Sequence, residues 1–310
     1  SFQLASQSAL AELAQTLTGK TVAIVGYLDQ VNGAPQNMVA VISDGKVAAR
    51  YAKCHLPNYG VFDEFRNFVP GDKTLVVRIH GADIGIAICE DLWIDGGITA
   101  QLAERKPGLV IVPNGSPYER AKDDVRLELV TKRARQAKAP LVYVNMTGGQ
   151  DDLVFDGDSI VVNSDGAVIA RAPQFEDGIA LVDIDVATQT STPDVVISED
   201  EVSVDRTLVP GVAVRLDDRE EIWNAIVVGL RDYVEKNGFR SVVVGLSGGI
   251  DSALVAALAV DALGAKRVNG VAMPSKYSSD HSISDAQAFA DATGIHFRTV
   301  PIAPMVDAYM

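Results

Sequence analysis

Residues 247–252 read Ser-Gly-Gly-Ile-Asp-Ser, and they lie between an apolar run, Ser241–Leu246, and a stretch rich in Ala, Leu and Val. A strand that turns into a helix through such residues directs several backbone N–H groups and the positive end of a helix dipole at one point, which suits phosphate. The motif is neither a Gly-Lys-Ser/Thr phosphate loop nor the G-x-G-x-x-G fingerprint. An ordinary strand-to-helix turn is the alternative, but such a turn needs only one Gly. The pattern therefore predicts a phosphate-binding loop of another type.

A second chemical feature is Cys89, which ends the apolar run Ile84–Ile88. A thiol becomes a nucleophile when a cation or a helix N-terminus stabilises its thiolate. The carboxylates of Glu90 and Asp91 act against ionisation, so a lysine from elsewhere is needed, and Lys53 is the candidate. Each residue also has a plain alternative on its own, which is inert packing for Cys89 and a solvated hairpin charge for Lys53. In a strand Lys53 and Cys54 face opposite sides, so we assign Cys54 to packing or to the surface.

The elements that position these residues form two different patterns. Residues 1–185 mix hairpins with strands flanked by helices, which indicates an α/β domain with a mixed sheet. The hairpin turns are expected at Asp44-Gly45 and His80-Gly81. The predicted helices cover 5–16 and 118–137, and the predicted strands cover 21–28, 38–43, 46–55, 73–79, 82–89, 109–113, 141–146, 159–163, 168–172 and 178–185.

The second pattern begins after residues 186–217, whose Thr, Ser, Pro and acidic residues predict a linker or wrapping arm. Residues 218–310 then alternate between helix and strand, which is half of a doubly wound parallel sheet. A parallel sheet must be covered on both faces, so we expect further elements of this domain beyond residue 310. The predicted strands are 241–246, 267–273 and 295–300, and the helices between them are 250–263 and 279–293.

Composition narrows the function classes. The chain has 310 residues, 47% of them hydrophobic and 22% charged, as expected for two ordinary globular domains. Its formal net charge of −14 argues against a nucleic-acid partner. No apolar run is long enough to cross a membrane, and no signal peptide is evident. Two cysteines make no disulfide framework, which predicts a reducing, cytoplasmic location.

These motifs resemble known families. The loop at 247–252 resembles that of the ATP pyrophosphatase superfamily, and the segments around Lys53 and Cys89 resemble the nitrilase superfamily, whose amidases use a Cys-Glu-Lys triad. The combination is similar to one family, the glutamine-dependent NAD synthetases. The similarity includes the segments Leu56–Glu64, Leu153–Ser159 and Met273–Ser282.

The resemblance implies an α/β fold with two domains and an arm. Residues 1–185 would form a nitrilase-like α-β-β-α sandwich with mixed sheets, and 186–217 a linker or arm. Residues 218–310 would form a doubly wound parallel-sheet domain of the adenine nucleotide α-hydrolase-like type. Both domains are expected to be truncated at the chain ends. The resemblance also implies a homo-oligomer, with the arm as a candidate contact.

For the first domain the resemblance implies a glutamine amidohydrolase site. Cys89 would attack the side-chain amide of glutamine, Lys53 would hold the oxyanion and support the thiolate, and Glu64 would orient the site. The general-base glutamate would lie before the segment that matches Ser1, so we expect this stretch alone to lose roughly 10²–10⁴-fold in rate. The implied glutamine-binding residues are Tyr59, Trp93, Ser116 and Lys122, and core packing is the alternative for the two aromatic residues.

For the second domain the resemblance implies an ATP site. The residues expected to wrap the pyrophosphate are Ser247, Gly248, Gly249 and Ser252. Asp251 would bind Mg²⁺, and Met273 would contact the adenine. Ser275, Lys276 and Ser278 lie in a loop that could touch phosphate, although a polar connection that caps the next helix explains them equally simply.

The implied reaction is the ATP-dependent amidation of deamido-NAD to NAD, with ammonia released from glutamine. Its products would include AMP, pyrophosphate and glutamate, and its partners would be small molecules. Two alternatives stay open. One is a different amide-forming ligase, or a stand-alone amidase whose nucleotide loop is regulatory. The other is a catalytically silent interaction module.

Overall fold

The computed structural model describes residues 2–201, 208, 211–275 and 278–309. The chain forms two compact units, of which the first contains residues 1–146 and 157–215 and the second contains residues 147–156 and 216–310. The helices are α1 (Phe2–Thr16), α2 (Glu64–Asn67), α3 (Ile98–Glu104), α4 (Lys122–Ala137), α5 (Asp218–Lys236), α6 (Ile250–Leu263), α7 (Asp280–Thr293) and α8 (Ala303–Tyr309). The strands are β1 (Val22–Val31), β2 (Ala34–Ser43), β3 (Lys46–Ala52), β4 (Leu75–Ile79), β5 (Ala82–Ile86), β6 (Leu109–Asn114), β7 (Leu141–Asn145), β8 (Thr147–Gln150), β9 (Leu153–Asp156), β10 (Ile160–Val162), β11 (Val168–Arg171), β12 (Val195–Val196), β13 (Val242–Gly245), β14 (Val268–Ala272) and β15 (His296–Thr299).

The first unit is built on two sheets. Strands β1, β2 and β3 form an antiparallel three-stranded sheet. The second sheet has the order β11-β10-β7-β6-β5-β4-β12 and is mixed, because β5, β6 and β7 are parallel whereas β4 and β10 run antiparallel to their neighbours β5 and β7. The carboxyl ends of the central parallel strands therefore lie at one edge, where α/β proteins place reactive groups.

Alternating side chains of β2 explain the layering of the first unit. Ala40 and Ile42 face α1, whereas Val39 and Val41 face the core that contains the larger sheet. The other face of the larger sheet packs against α3 and α4. This is the α-β-β-α sandwich that the sequence predicts.

The strand predicted at 178–185 is wrong. These residues form no strand, and the Ile179 and Leu181 side chains are 91% and 65% exposed. A strand needs a partner, and both edges of the larger sheet are already taken. Residues 211–213 bond to Arg171 at the β11 edge, and β12 pairs with β4 at the other.

The segment 187–201 lies within the predicted linker and packs along the β4 edge. The Asp194 carboxylate accepts hydrogen bonds from the Val76 N–H and from Arg105. Arg78 donates to the Ser191 carbonyl and to the buried Asp83 carboxylate. This part of the predicted arm is therefore held to its own unit by charged groups.

The second unit has a parallel sheet of order β13-β14-β15, connected through α6 and α7, as the sequence predicts. An antiparallel hairpin, β8–β9, also belongs to it and was not predicted. The hairpin packs on α5, where Asp232 accepts a bond from the Gly149 N–H and Lys236 donates to the Gly149 carbonyl. In the sequence this hairpin lies between β7 and β10, which both belong to the first unit.

No helix among the described residues is long and apolar enough to cross a membrane. Cys54 and Cys89 are both free thiols. Of the two, Cys89 is the more buried, and it belongs to the core that contains the two sheets of the first unit.

The ion pair between Arg171 and Asp158 provides a test of how the first unit is stabilised. The guanidinium donates to both carboxylate oxygens at 2.6 and 2.7 Å, and both residues are less than 9% exposed. We expect Asp158→Asn to lower the free energy of unfolding by about 3 kcal/mol, because it removes the bidentate partner of a buried arginine and leaves only the Asp123 carboxylate, 3.9 Å away. Asn tolerates the positive φ of 54° at this position, so the backbone is not the cause.

The matched control is Asp63→Asn, which removes the exposed pair with Arg66. That change should lower the free energy of unfolding by less than about 1 kcal/mol. Urea-induced unfolding of both variants measures the difference. Equal losses would show that burial of the Arg171 pair contributes nothing.

Candidate active site

Cys89 follows β5 in an unusual backbone conformation. Ile88 is still extended, with φ −126° and ψ 116°, but Cys89 has φ 43° and begins a short 3-10 helix that ends at Leu92. A non-glycine residue with positive φ is uncommon and persists where the surrounding structure enforces it. The conformation turns the chain at the end of the strand and places the thiol at this edge of the sheet, where the sequence predicts it.

Lys53 comes directly after β3 and is almost fully buried, with 2% of the residue exposed. Its ammonium nitrogen lies 2.6 Å from Glu64 Oε1 at the start of α2. The other Glu64 oxygen accepts a hydrogen bond from Asn37 Nδ2 at 3.4 Å. A buried cation requires such a partner, since taking an unpaired charge out of water is strongly unfavourable. Glu64 therefore fixes the position of the ammonium group.

The groups around Cys89 shift the pKa of its thiol in opposite directions. Burial raises the pKa of the Cys89 thiol above its ordinary value, and the carboxylates of Glu90 and Glu64 raise it further. The Lys53 ammonium and the backbone N–H of Gly115 lower that pKa, because both stabilise the thiolate. The thiol is therefore mostly neutral at neutral pH, and it must lose its proton as it attacks.

The thiol opens into a cavity of about 420 Å³. All four residues predicted to bind glutamine line this cavity together with Cys89. The lining residues are Tyr59, Phe62, Cys89, Glu90, Trp93, Ser116, Glu119, Arg120, Ala121, Lys122 and Val125. Tyr59 is 56% exposed, which makes core packing a poor account of it, whereas Trp93 packs partly against the core under α4.

Two polar contacts shape the cavity wall. Tyr59 donates a hydrogen bond of 2.9 Å to Glu90 Oε2, and burial raises the pKa of Glu90. Lys122 lies 3.2 Å from Glu119 and places its ammonium group 6.0 Å from the centroid of the Phe62 ring. The cavity thus presents a carboxylate and a cation to whatever binds beside the thiol.

The Ser116 segment is held by buried residues that sequence reasoning missed. Asn145 accepts a hydrogen bond from the Ser116 N–H and donates one to its carbonyl oxygen. Arg126, which is fully buried, donates to the carbonyls of Ser116 and Pro117. The sequence held no signal for Arg126, because α4 carries charged residues throughout and the structure alone shows that this one is buried and paired.

The predicted phosphate loop lies in the second unit, where α6 begins at Ile250. Ser252 Oγ accepts a hydrogen bond from the Ser247 N–H at 3.2 Å and donates to the Gly249 carbonyl at 3.0 Å. Gly248 has φ 78°, and a Cβ atom there would lie 2.3 Å from the Ser282 carbonyl oxygen. Only glycine fits at this point, so the first glycine of the motif has a steric reason.

A cavity of about 350 Å³ adjoins this loop. It brings Ser247 and Ser278 together with Met273, whose side chain is 52% exposed, but Ser275 is not part of its lining. Lys276 lies outside the described residues. The lining residues are Gly245, Leu246, Ser247, Ala272, Met273, Pro274, Ser278, Ser282 and Ile283.

Asp251 lies in the first turn of α6 and is exposed. The described residues contain no group of three or more His, Cys, Asp or Glu side chains that could hold a metal by themselves. Mg²⁺ is commonly bound through one or two carboxylates together with phosphate oxygens. One exposed carboxylate beside a phosphate loop fits that donor set, so the residues agree with a cation that binds together with a nucleotide.

Comparison with known proteins confirms the resemblance seen in the motifs. The chain is 41% identical over 283 residues to the glutamine-dependent NAD(+) synthetase of Synechocystis sp., with 88% of this chain and 48% of the relative covered. It is 40% identical over 306 residues to that of Xanthomonas campestris, with 98% and 52% covered. The chain thus spans about half the length of the curated relatives it matches.

A solved structure matches the whole chain. It is the glutamine-dependent NAD+ synthetase of Acinetobacter baumannii in complex with ADP, with a TM-score of 0.84, 38% identity, and coverage of 100% of this chain and 55% of that one. The sequence profile of the NAD synthase family matches residues 222–310, and that of the carbon-nitrogen hydrolase family matches residues 3–194. The chain therefore belongs to the carbon-nitrogen hydrolase family, joined to a segment of the NAD synthase family.

Proposed function

We propose that this chain is part of an enzyme that makes NAD from deamido-NAD, using ATP and the amide nitrogen of glutamine. The observation that carries the proposal is the presence in one chain of two sites with complementary chemistry. One is a buried thiol beside a Lys–Glu pair, and the other is a phosphate loop at a helix N-terminus. The first releases ammonia from an amide, and the second activates a carboxylate that ammonia can attack.

In the first reaction the Cys89 sulfur attacks the amide carbon of glutamine. The carbonyl π electrons move to oxygen, and the Lys53 ammonium stabilises the oxyanion that forms. Collapse of this intermediate breaks the C–N bond, the nitrogen takes up the proton that the thiol has lost and leaves as ammonia, and a thioester remains. Water then hydrolyses the thioester to glutamate and restores the thiol. Glu64 keeps Lys53 in place through both steps.

The charged and aromatic residues that line the cavity suit glutamine, which is a small zwitterion. Lys122 offers a cation to the α-carboxylate of glutamine, and the Glu90 carboxylate offers an acceptor to its α-ammonium group. The Phe62 and Trp93 rings, which line the cavity, would contact the methylene groups. Hydrogen bonds with Asn145 and Arg126 hold the Ser116 segment in place, so we assign Ser116 to positioning the substrate.

In the second reaction ATP transfers AMP to the nicotinate carboxylate of deamido-NAD and releases pyrophosphate. In this proposal the backbone N–H groups of Ser247, Gly248 and Gly249, with the Ser252 hydroxyl, hold the phosphates. Asp251 would hold Mg²⁺, which when bound neutralises charge on the departing pyrophosphate. Met273 borders the cavity as a contact for the adenine. Ammonia then displaces AMP from the activated carboxylate and gives the amide.

Cellular location and assembly are parts of the same proposal. Both cysteines are free, and a reducing compartment keeps the Cys89 thiol available, so we place the reaction in the cytoplasm. The family resemblance supports a homo-oligomer.

The transfer of nitrogen is the direct test. The complete gene product should convert deamido-NAD and glutamine labelled with ¹⁵N in the amide to NAD whose nicotinamide is heavier by about one mass unit, as mass spectrometry would show. Cys89→Ala should abolish this transfer because the acyl thioester cannot form, whereas added ammonium should restore NAD formation. Cys54→Ala is the matched control and should retain transfer. Glutamate formed without any NAD would instead identify an amidase.

The Lys53–Glu64 pair gives a prediction about the thiol alone. Lys53→Gln removes the cation that lowers the pKa of Cys89 and leaves the Glu64 carboxylate, which raises it. Alkylation of Cys89 by iodoacetamide at about pH 8 should therefore slow about tenfold, as for one pKa unit. The double variant Lys53→Gln/Glu64→Gln should slow less, because both charges are gone. Peptide mass spectrometry separates Cys89 from Cys54, and equal rates in all three proteins would refute the electrostatic account.

The phosphate loop gives a third prediction. Gly248→Ala should weaken ATP binding by at least about tenfold, because the new methyl group collides with Ser282 and displaces the loop. Gly294→Ala is the control, since Gly294 also has positive φ but no atom within 4 Å of its Cβ position. Isothermal titration with a non-hydrolysable ATP analogue measures both affinities. An equal loss in the two variants would attribute the effect to backbone strain instead of to the loop.

A further inference from the structure

The Asp91 carboxylate is fully buried two residues after Cys89 and accepts four hydrogen bonds. Its Oδ1 atom accepts the backbone N–H groups of Cys54 at 3.1 Å and of His55 at 2.9 Å. Its Oδ2 atom accepts the Ile88 N–H at 2.9 Å and the Tyr51 hydroxyl at 2.7 Å. Three of the four donors are backbone N–H groups, so this carboxylate is tied to two stretches of main chain.

The four donors come from two segments that are far apart in sequence. Residues 51–55 carry Lys53, and residues 88–91 carry Cys89. The β2–β3 ladder ends at Ala52, so the Cys54 and His55 N–H groups no longer have a strand partner. Asp91 accepts hydrogen bonds from these two N–H groups instead. It thereby links the segment that carries Lys53 to the segment that carries Cys89.

The Asp91 carboxylate also stabilises the turn at Cys89. The bond from the Ile88 N–H to Asp91 joins the residue before Cys89 to the residue two positions after it. Cys89 holds a φ of 43°, which a cysteine adopts only when its neighbours enforce it. Asp91 is therefore connected both to the conformation of the nucleophile and to the backbone beside its cation.

We propose that Asp91 is a positioning residue that fixes the Lys53 ammonium and the Cys89 thiol relative to each other, and so sets how readily the thiol ionises. The inference deepens the proposed glutamine hydrolysis and rests on Cys89 as its nucleophile. Asp91 does not touch the substrate in this account. The charged groups that act on Cys89 directly are Lys53, Glu64 and Glu90.

The test measures thiol reactivity in the folded protein, which needs no substrate. Asp91→Asn keeps the shape of the side chain but sets an N–H₂ group against backbone donors, so the two segments should separate. We expect the rate of Cys89 alkylation by iodoacetamide at about pH 8 to fall about tenfold, with the whole pH profile displaced upward, because Lys53 moves away from the thiol. Loss of the Asp91 charge by itself favours ionisation, but it is the smaller effect, since Asp91 is not among the main charges that act on Cys89. With glutamine as substrate, kcat should fall on the order of 10²-fold with little change in KM, because the cavity residues are untouched.

Asp83→Asn is the matched control. Asp83 is equally buried, accepts the Arg78 guanidinium and the Ser191 N–H, and lies in β5. It is six residues before Cys89 in the sequence, about 20 Å along an extended chain. The control should lower the melting temperature to a similar degree and leave the alkylation profile of Cys89 unchanged, since a merely structural loss does not alter the thiol of molecules that stay folded.

A folded Asp91→Asn protein with the wild-type alkylation profile would overturn the inference. Should Asp91→Asn fail to fold, Tyr51→Phe decides in the same way, because it removes one donor to Asp91 and keeps the ring. That variant should slow alkylation about threefold, and an unchanged rate would also overturn the inference. If the wild-type protein hydrolyses no glutamine, the proposed function fails, and the alkylation comparison still decides whether Asp91 positions the pair.

Discussion

The buried positive charge of Lys53 is the constraint on which the rest of the first unit depends. A cation with 2% exposure is stable only beside a carboxylate, which Glu64 supplies from α2. The same charge is what makes ionisation of a deeply buried thiol feasible, because burial by itself disfavours the thiolate. The fold therefore has to bring a strand end, a short helix and the end of β5 to one point. The two-sheet sandwich does so for the two strand ends, since β3 and β5 pack in one core.

The two sites differ in how their polar groups are held in place. Around Cys89 the polar groups that hold the segments are buried and paired, as Arg126 and Asn145 are on the Ser116 side. Around the phosphate loop the side chains are exposed, and local hydrogen bonds between Ser247, Gly249 and Ser252 define the shape. This difference suits the proposed functions, since chemistry on an amide needs a dry, fixed pocket, whereas a loop that would receive a polyphosphate must stay open to water.

The sequence predicts well those structural features that depend only on neighbouring residues. The strand-loop-helix motif at 247–252, the cysteine at a strand end and the Asp44-Gly45 turn each depend on neighbouring residues, and the structure forms all three as expected elements. The strand predicted at 178–185 failed because hydrophobic pattern does not record whether a sheet edge is free. Hairpin β8–β9 was missed because both of its strands have only four residues and β8 contains two adjacent glycines. The role of Asp91 depends on contacts across nearly forty positions, which no local pattern contains.

The β8–β9 hairpin has a consequence for how the chain can be divided. Residues 147–156 belong to the second unit, although the residues on both sides of them belong to the first. Gly149 and Gly229 allow the hairpin and α5 to approach closely, since a Cβ added at Gly149 would lie 3.1 Å from the Gly229 Cα atom. No single cleavage of the polypeptide can separate the two units intact. An engineered fusion that exchanges one unit as a continuous block would remove this hairpin from α5, so an exchange of the second unit has to include residues 147–156.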